Sequence, residues 1–121
     1  MVVEARLTRD TEWFSKMDPY ATLLTEKQMF KTRTMNGAGK TPRWNQEFDL
    51  DVNNLGDDIC VRVFDENVVS SDLIGECTLK FSVLCDDNGI DKWFPITYNG
   101  DHSGTIHLKS TWTPSNMNFK S

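Results

Sequence analysis

Eight short runs in this chain read as strands, and most of them alternate apolar with polar residues at a period of two, which is the spacing of a half-buried strand. The first is Val3, Ala5 and Leu7 against Glu4, Arg6 and Thr8. The others are Tyr20–Thr25, Met29–Thr34, Trp44–Val52, Ile59–Val63, Cys77–Val83, Trp93–Ile96 and Thr105–Trp112. Turn-forming residues separate them, among them Asn36-Gly37-Ala38-Gly39 and the polar stretches 53–58 and 86–91. Pro19 allows a strand to begin at Tyr20 but not to run through from Asp18. Pro95 marks its run as an edge strand. No run shows a convincing helical period. The expectation is an all-β fold, an eight-stranded antiparallel β-sandwich with Greek-key connections.

At 121 residues the chain is expected to be one domain over residues 1–112, followed by a tail at 113–121. Its 13 basic and 18 acidic residues leave a net charge of −5, which argues against nucleic acid as a partner. The cysteines Cys60, Cys77 and Cys85 are odd in number and lack CxxC spacing. A reduced, cytoplasmic monomer is the expectation. The N-terminus lacks a signal-peptide pattern, and no stretch reaches the roughly 18 apolar residues of a membrane span. Any membrane contact is then peripheral.

The stretch Phe64 to Gly75 carries the functional signal. It presents oxygen-bearing side chains at Asp65, Asn67 and Asp72, with Val68 and Val69 at its tip. A calcium ion takes about 6–8 oxygen ligands, more than one loop supplies. A second acidic loop, Glu12 to Asp18, is the natural complement. Two lookalikes fail. Gly37-Ala38-Gly39-Lys40-Thr41 has Thr34 where a phosphate-binding loop needs its first glycine, and Asp51–Arg62 ends an EF-hand pattern on arginine. His102 and His107 lie near no convincing nucleophile, so an enzyme is not expected.

Taken together, several motifs resemble the C2 domain, the calcium-dependent phospholipid-binding module. They are Met17-Asp18-Pro19-Tyr20, Pro42-Arg43-Trp44-Asn45-Gln46-Glu47-Phe48, Val63-Phe64-Asp65-Glu66-Asn67, Asp72-Leu73-Ile74-Gly75 and Gly104-Thr105-Ile106-His107-Leu108. They fall in the family's order across residues 2–112. Of the family's two circularly permuted topologies, type II is favoured, because the chain opens directly on the Val2–Leu7 run.

The resemblance implies five acidic ligand positions in two loops. Asp18, Asp65 and Asp72 match three of them. Glu12 and Asn67 stand where aspartate is usual, and the later loop is one residue shorter than the common pattern. Glu66 is counted with this set, and Asp10 is a substitute for Glu12. A lost charge at Asn67 implies weaker calcium binding or fewer ions. Trp13, Phe14, Val68 and Val69, bulky residues inside polar loops, are expected to enter lipid. Lys27, Lys31, Arg33, Lys40 and Arg43 are expected to form a basic face for phosphatidylserine or phosphoinositide headgroups, with Lys31 and Arg33 on one face. Each basic residue near an anionic surface contributes about 1 kcal/mol. The expected function is calcium-dependent binding to anionic membranes. The alternative is a calcium-independent module that binds a protein or a phosphoinositide. Trp44, Asn45 and Tyr20 are expected to be structural, with Tyr20 in the core.

Overall fold

The computed structural model describes residues 1–113, so all but the first residue of the expected tail at 113–121 lies outside the described residues. Eight strands follow in order: β1 (Val2–Leu7), β2 (Pro19–Leu24), β3 (Met29–Lys31), β4 (Arg43–Gln46), β5 (Asp58–Glu66), β6 (Ser71–Lys80), β7 (Asp91–Tyr98) and β8 (Asp101–Lys109). All pairings are antiparallel. The hydrogen-bonded order is β3-β2-β5-β6-β7-β8-β1-β4. Glu76 and Thr97 form the one paired position between β6 and β7 among the described residues. The sheet curls there into two four-stranded layers.

The layers enclose one core. Val2, Ala5, Leu7, Ile106 and Leu108 from one layer meet Ala21, Leu23, Val61, Val63 and Ile74 from the other. Trp44 is 1% exposed and donates its Nε1–H to the carbonyl of Pro19 at 3.2 Å, joining β4 to β2 across the layers. The indole is thus structural, as the sequence suggested.

Several boundaries differ from the alternation. Trp44–Val52 is a ladder strand only as far as Gln46, although Phe48, Leu50 and Val52 still pack against the core. β3 ends at Lys31 rather than Thr34. The run expected at Cys77–Val83 is a strand from Ser71 to Lys80, after which Phe81–Leu84 forms one turn of helix, α1. A short 3-10 turn follows at Asp86–Asn88. Helix forms here because Phe81 is buried while Ser82 donates its N–H to Leu55 O, and the chain must reverse direction within a few residues. Tyr20 is buried, but on the outer face of its layer. It stacks on Phe64 at 5.2 Å, beneath the Lys31 ammonium at 4.2 Å.

Candidate functional site

β1 and β5 run toward the same end of the sandwich, and β2 and β6 leave it. The segment 8–18 and the tight turn 67–70 therefore meet there. The junction is fixed by the Pro19–Asp65 pair and by Glu66 N–H donating to Asp18 O at 2.9 Å. The Phe64–Gly75 stretch is mostly ladder, with Asn67–Ser70 left at its tip.

A β-bulge aims the two aspartates. Val63 pairs with Gly75, but Phe64 pairs with Leu73, so Ile74 is an extra residue on β6. Regular pairing would have set Asp65 opposite Leu73. With the bulge, Asp65 lies directly opposite Asp72, and opposed residues share a face. Gly75 is required beside the bulge, because a Cβ there would lie 2.1 Å from the Ser103 hydroxyl on β8.

Asp65 is the pivot. It is fully buried, one oxygen accepting Asp18 N–H at 2.8 Å and the other the Thr11 hydroxyl at 2.8 Å. Asp18 in turn accepts Gly37 N–H at 2.7 Å, which brings the 32–42 loop to the same end. Asn67 Nδ2 donates to Asp72 at 2.8 Å. Glu12 accepts the Ser15 hydroxyl at 3.3 Å, and Asp10 accepts the Glu12 N–H at 2.9 Å. The Asp65 carboxylate, through a shared hydrogen bond, pushes the Glu12 carboxyl above its ordinary value. Partial burial and repulsion from Asp65 act in the same direction, and Asp72 adds a smaller repulsion. Thr11, Gly37 and Ser15 were not among the residues picked from sequence. A hydroxyl or a glycine N–H carries no signal for a partner so far along the chain.

Among the described residues, no group of three or more His, Cys, Asp or Glu side chains is arranged to hold a metal ion. The donor chemistry nonetheless suits a hard cation: Glu12, Asp65 and Asp72 are close enough for like charges to resist one another. Glu66 does not join them. It faces the other side of β5 and pairs with Lys31 at 3.4 Å.

The apolar tips stand out from the acidic ring. Trp13 and Phe14 are 91% and 100% exposed, and Val68 and Val69 are 104% and 94% exposed. The five basic residues do not form one face. Lys27 sits in the β2–β3 turn, at the end away from the acidic loops. Arg33 turns off β3, donating its guanidinium to Trp44 O at 2.5 Å and its N–H to Gln46 at 2.8 Å. β3 ends before it and its guanidinium reaches β4 in the other layer, whereas Lys31 pairs with Glu66. Arg43 pairs with Glu4 at 3.5 Å in the other layer. Lys40 lies at the acidic end, where its carbonyl accepts Leu7 N–H at 2.8 Å.

Comparison with known proteins agrees with this architecture. Residues 1–96 match the family model of the C2 domain. Extended synaptotagmin-3 of Xenopus tropicalis is 32% identical over 98 residues, covering 80% of this chain and 11% of that protein. Elicitor-responsive protein 3 of Oryza sativa subsp. japonica is 27% identical over 119 residues, covering 94% of this chain and 81% of that one. A solved C2 domain-containing protein superposes with a TM-score of 0.79 at 26% identity, covering 95% of this chain and 86% of its own. No helix among the described residues is long and apolar enough to cross a membrane. The chain belongs to the C2 domain family.

Proposed function

We propose that this domain binds anionic phospholipid membranes when calcium occupies the acidic end, with Glu12, Asp18, Asp65, Asp72 and the Asn67 carbonyl as ligands. The observation that carries this reading is the placement of a buried Asp65 directly opposite Asp72, beside a Glu12 carboxyl held above its ordinary value. Carboxylates assembled against their own repulsion are a cost that a cation relieves. Calcium supplies the counter-charge and free coordination positions for phosphate oxygens. A half-buried Glu12 and an exposed Asp72 flank the buried Asp65.

Without calcium, Glu12, Asp18, Asp65 and Asp72 carry a formal charge of −4 at the face that meets the membrane. Repulsion of about 1 kcal/mol per charge opposes contact. With calcium the repulsion is cancelled, and Trp13, Phe14, Val68 and Val69 enter the interface. Burial at about 25 cal/mol per Å² lets such a set contribute a few kcal/mol. Two modest signals acting together give usable peripheral anchoring. Lys31 and Lys40 add attraction beside the tip, and phosphatidylserine is the headgroup this arrangement suits.

The Asn67–Asp72 hydrogen bond favours a second reading, a calcium-independent domain that engages a protein or a phosphoinositide. It satisfies Asp72 without a metal. Co-sedimentation with phosphatidylserine vesicles separates the two. Pelleting in calcium and not in chelator is expected. Equal pelleting in both conditions, or in neither, would refute the calcium-dependent reading.

A further inference from the structure

A further hairpin stands at the acidic end of the sandwich. β1 runs toward that end and Leu7 pairs with Gly104, so β8 begins there. Tyr98 and Asp101 pair across the β7–β8 hairpin. Asn99 and Gly100 form its tip, with φ of 50° and 85°. An Asn-Gly pair with positive φ at both residues makes a two-residue turn whose twist matches its strands. Tyr98 is thereby held in place at the end that carries the acidic loops.

A second bulge brings an arginine to this hairpin. Ile96 pairs with Gly104 but Thr97 pairs with His102, so Ser103 is an extra residue on β8. The Ser103 carbonyl accepts the N–H groups of Thr8 at 2.9 Å and Arg9 at 3.3 Å, which fixes the chain as it leaves β1. The Arg9 guanidinium carbon lies over the Tyr98 ring, 3.7 Å from its centre. Two residues further on, the Thr11 hydroxyl is bonded to Asp65. Two residues of chain span about 7 Å at most, so Arg9 leaves the backbone beside the acidic ring.

Most arginines of the domain are committed within it. Arg43 and Arg62 pair with Glu4 and Glu76, and Arg33 donates to Trp44 O. Arg6 lies over Trp93, which pairs with His107 away from the acidic end. Arg9 forms no ion pair among the described residues, although Asp10 and Asp101 flank the stack in sequence. Its Nε is buried and has no hydrogen-bond partner there. A guanidinium held over an aromatic ring, with donors to spare, is preorganised for two oxygens of one phosphate. We propose that Arg9, seated on Tyr98, binds the phosphate of an anionic phospholipid headgroup beside the calcium end. The proposal rests on the membrane-binding reading above and deepens it. The 67–70 turn belongs to one layer and the Tyr98 hairpin to the other, so two separated contacts fix the tilt of the domain on the membrane.

Binding to phosphatidylserine vesicles in excess calcium tests it, with melting temperatures in chelator to confirm folding. Arg9→Gln is expected to weaken binding about tenfold. Arg9→Lys keeps the charge but not the planar fork, and is expected to weaken it about threefold or more. Tyr98→Leu leaves Arg9 charged but unseated, and is expected to match Arg9→Lys. Lys92→Gln removes an exposed charge at the far end of β7 and is expected to change nothing. Arg9→Lys or Tyr98→Leu binding as tightly as the unmodified chain would reduce Arg9 to a diffuse charge and overturn the proposal. So would an equal loss in Arg9→Gln and Lys92→Gln. Calcium-dependent binding that survives in every Arg9 variant would sink the phosphate contact alone, whereas an unmodified chain that fails to bind in calcium would sink the membrane reading together with it.

Discussion

The Asp65 carboxylate accepts the backbone N–H of Asp18 at 2.8 Å, so the side chain offered to a cation also fixes where the first acidic segment meets β5. Its second oxygen holds the Thr11 hydroxyl. Asp65→Ala would leave both part-buried donors without their partner. At about 1–3 kcal/mol per unsatisfied group, the variant should lose roughly 2–4 kcal/mol in chelator, measured by urea denaturation. Asp65→Asn retains an acceptor and the shape. It should keep most of the stability and lose the calcium response. An Asp65→Ala protein as stable as the unmodified one would remove Asp65 from its structural role.

Asn67 replaces a repulsion with a hydrogen bond. Its amide donates to Asp72 at 2.8 Å, where a second carboxylate would repel. Asn67→Asp should destabilise the calcium-free domain by about 0.5–1 kcal/mol. It should also lower the calcium concentration needed for vesicle binding, because ligand charge raises affinity. Thermal melts in chelator and a calcium titration of vesicle binding measure the two effects. A melting temperature in chelator that does not fall, or a calcium requirement that does not fall, would contradict this role for Asn67.

Glu12 gives the end a pH dependence of defined sign. Asp65 holds the Glu12 carboxyl above its ordinary 4.5, so the folded state binds that proton more tightly than the unfolded chain. The stabilising contribution is complete below 4.5, fades as pH rises through the raised value, and is absent at neutral pH. Glu12→Gln should therefore raise the melting temperature in chelator at pH 7 and have little effect near pH 4. In calcium the same variant should show a smaller calcium-induced rise in melting temperature. A variant that melts lower than the unmodified chain at pH 7 in chelator would contradict the repulsion.

The four apolar tips bear on membrane affinity and scarcely on folding. Phe14→Ala combined with Val69→Ala removes side chains that are 100% and 94% exposed. The melting temperature should stay nearly constant, since surface changes of this kind usually fall within about 0.5 kcal/mol. Vesicle affinity in calcium should fall about tenfold or more, the equivalent of roughly 1.4 kcal/mol. Unchanged affinity would place the membrane contact elsewhere.

The location of the strands was legible in the sequence because a two-residue period has one physical meaning when several runs share it. Their ends were less so. Residues 47–52 alternate like a strand and half-bury Phe48, Leu50 and Val52, yet no ladder partner is present among the described residues. Phe81 to Val83 alternate too, but three residues cannot separate a strand from one helical turn. At the candidate site, Asp18, Asp65 and Asp72 could be found because acidic side chains in loops are conspicuous. The Ile74 bulge that sets Asp65 opposite Asp72 could not, since it is a property of pairing between strands. The basic residues looked collected because they are close in sequence. Folding spreads them over two layers and both ends, with Lys31 on Glu66 and Arg43 on Glu4.

Trp13 emission tests the central claim most directly, because the residue is 91% exposed at the tip whereas Trp44 is 1% exposed in the core. The unmodified chain and Trp13→Phe would be compared with phosphatidylserine vesicles carrying a bilayer-embedded quencher, in calcium and in chelator. The account predicts a blue shift and quenching that need calcium and vanish in Trp13→Phe. Vesicle binding that leaves Trp13 emission unchanged, or a shift of equal size in chelator, would contradict it.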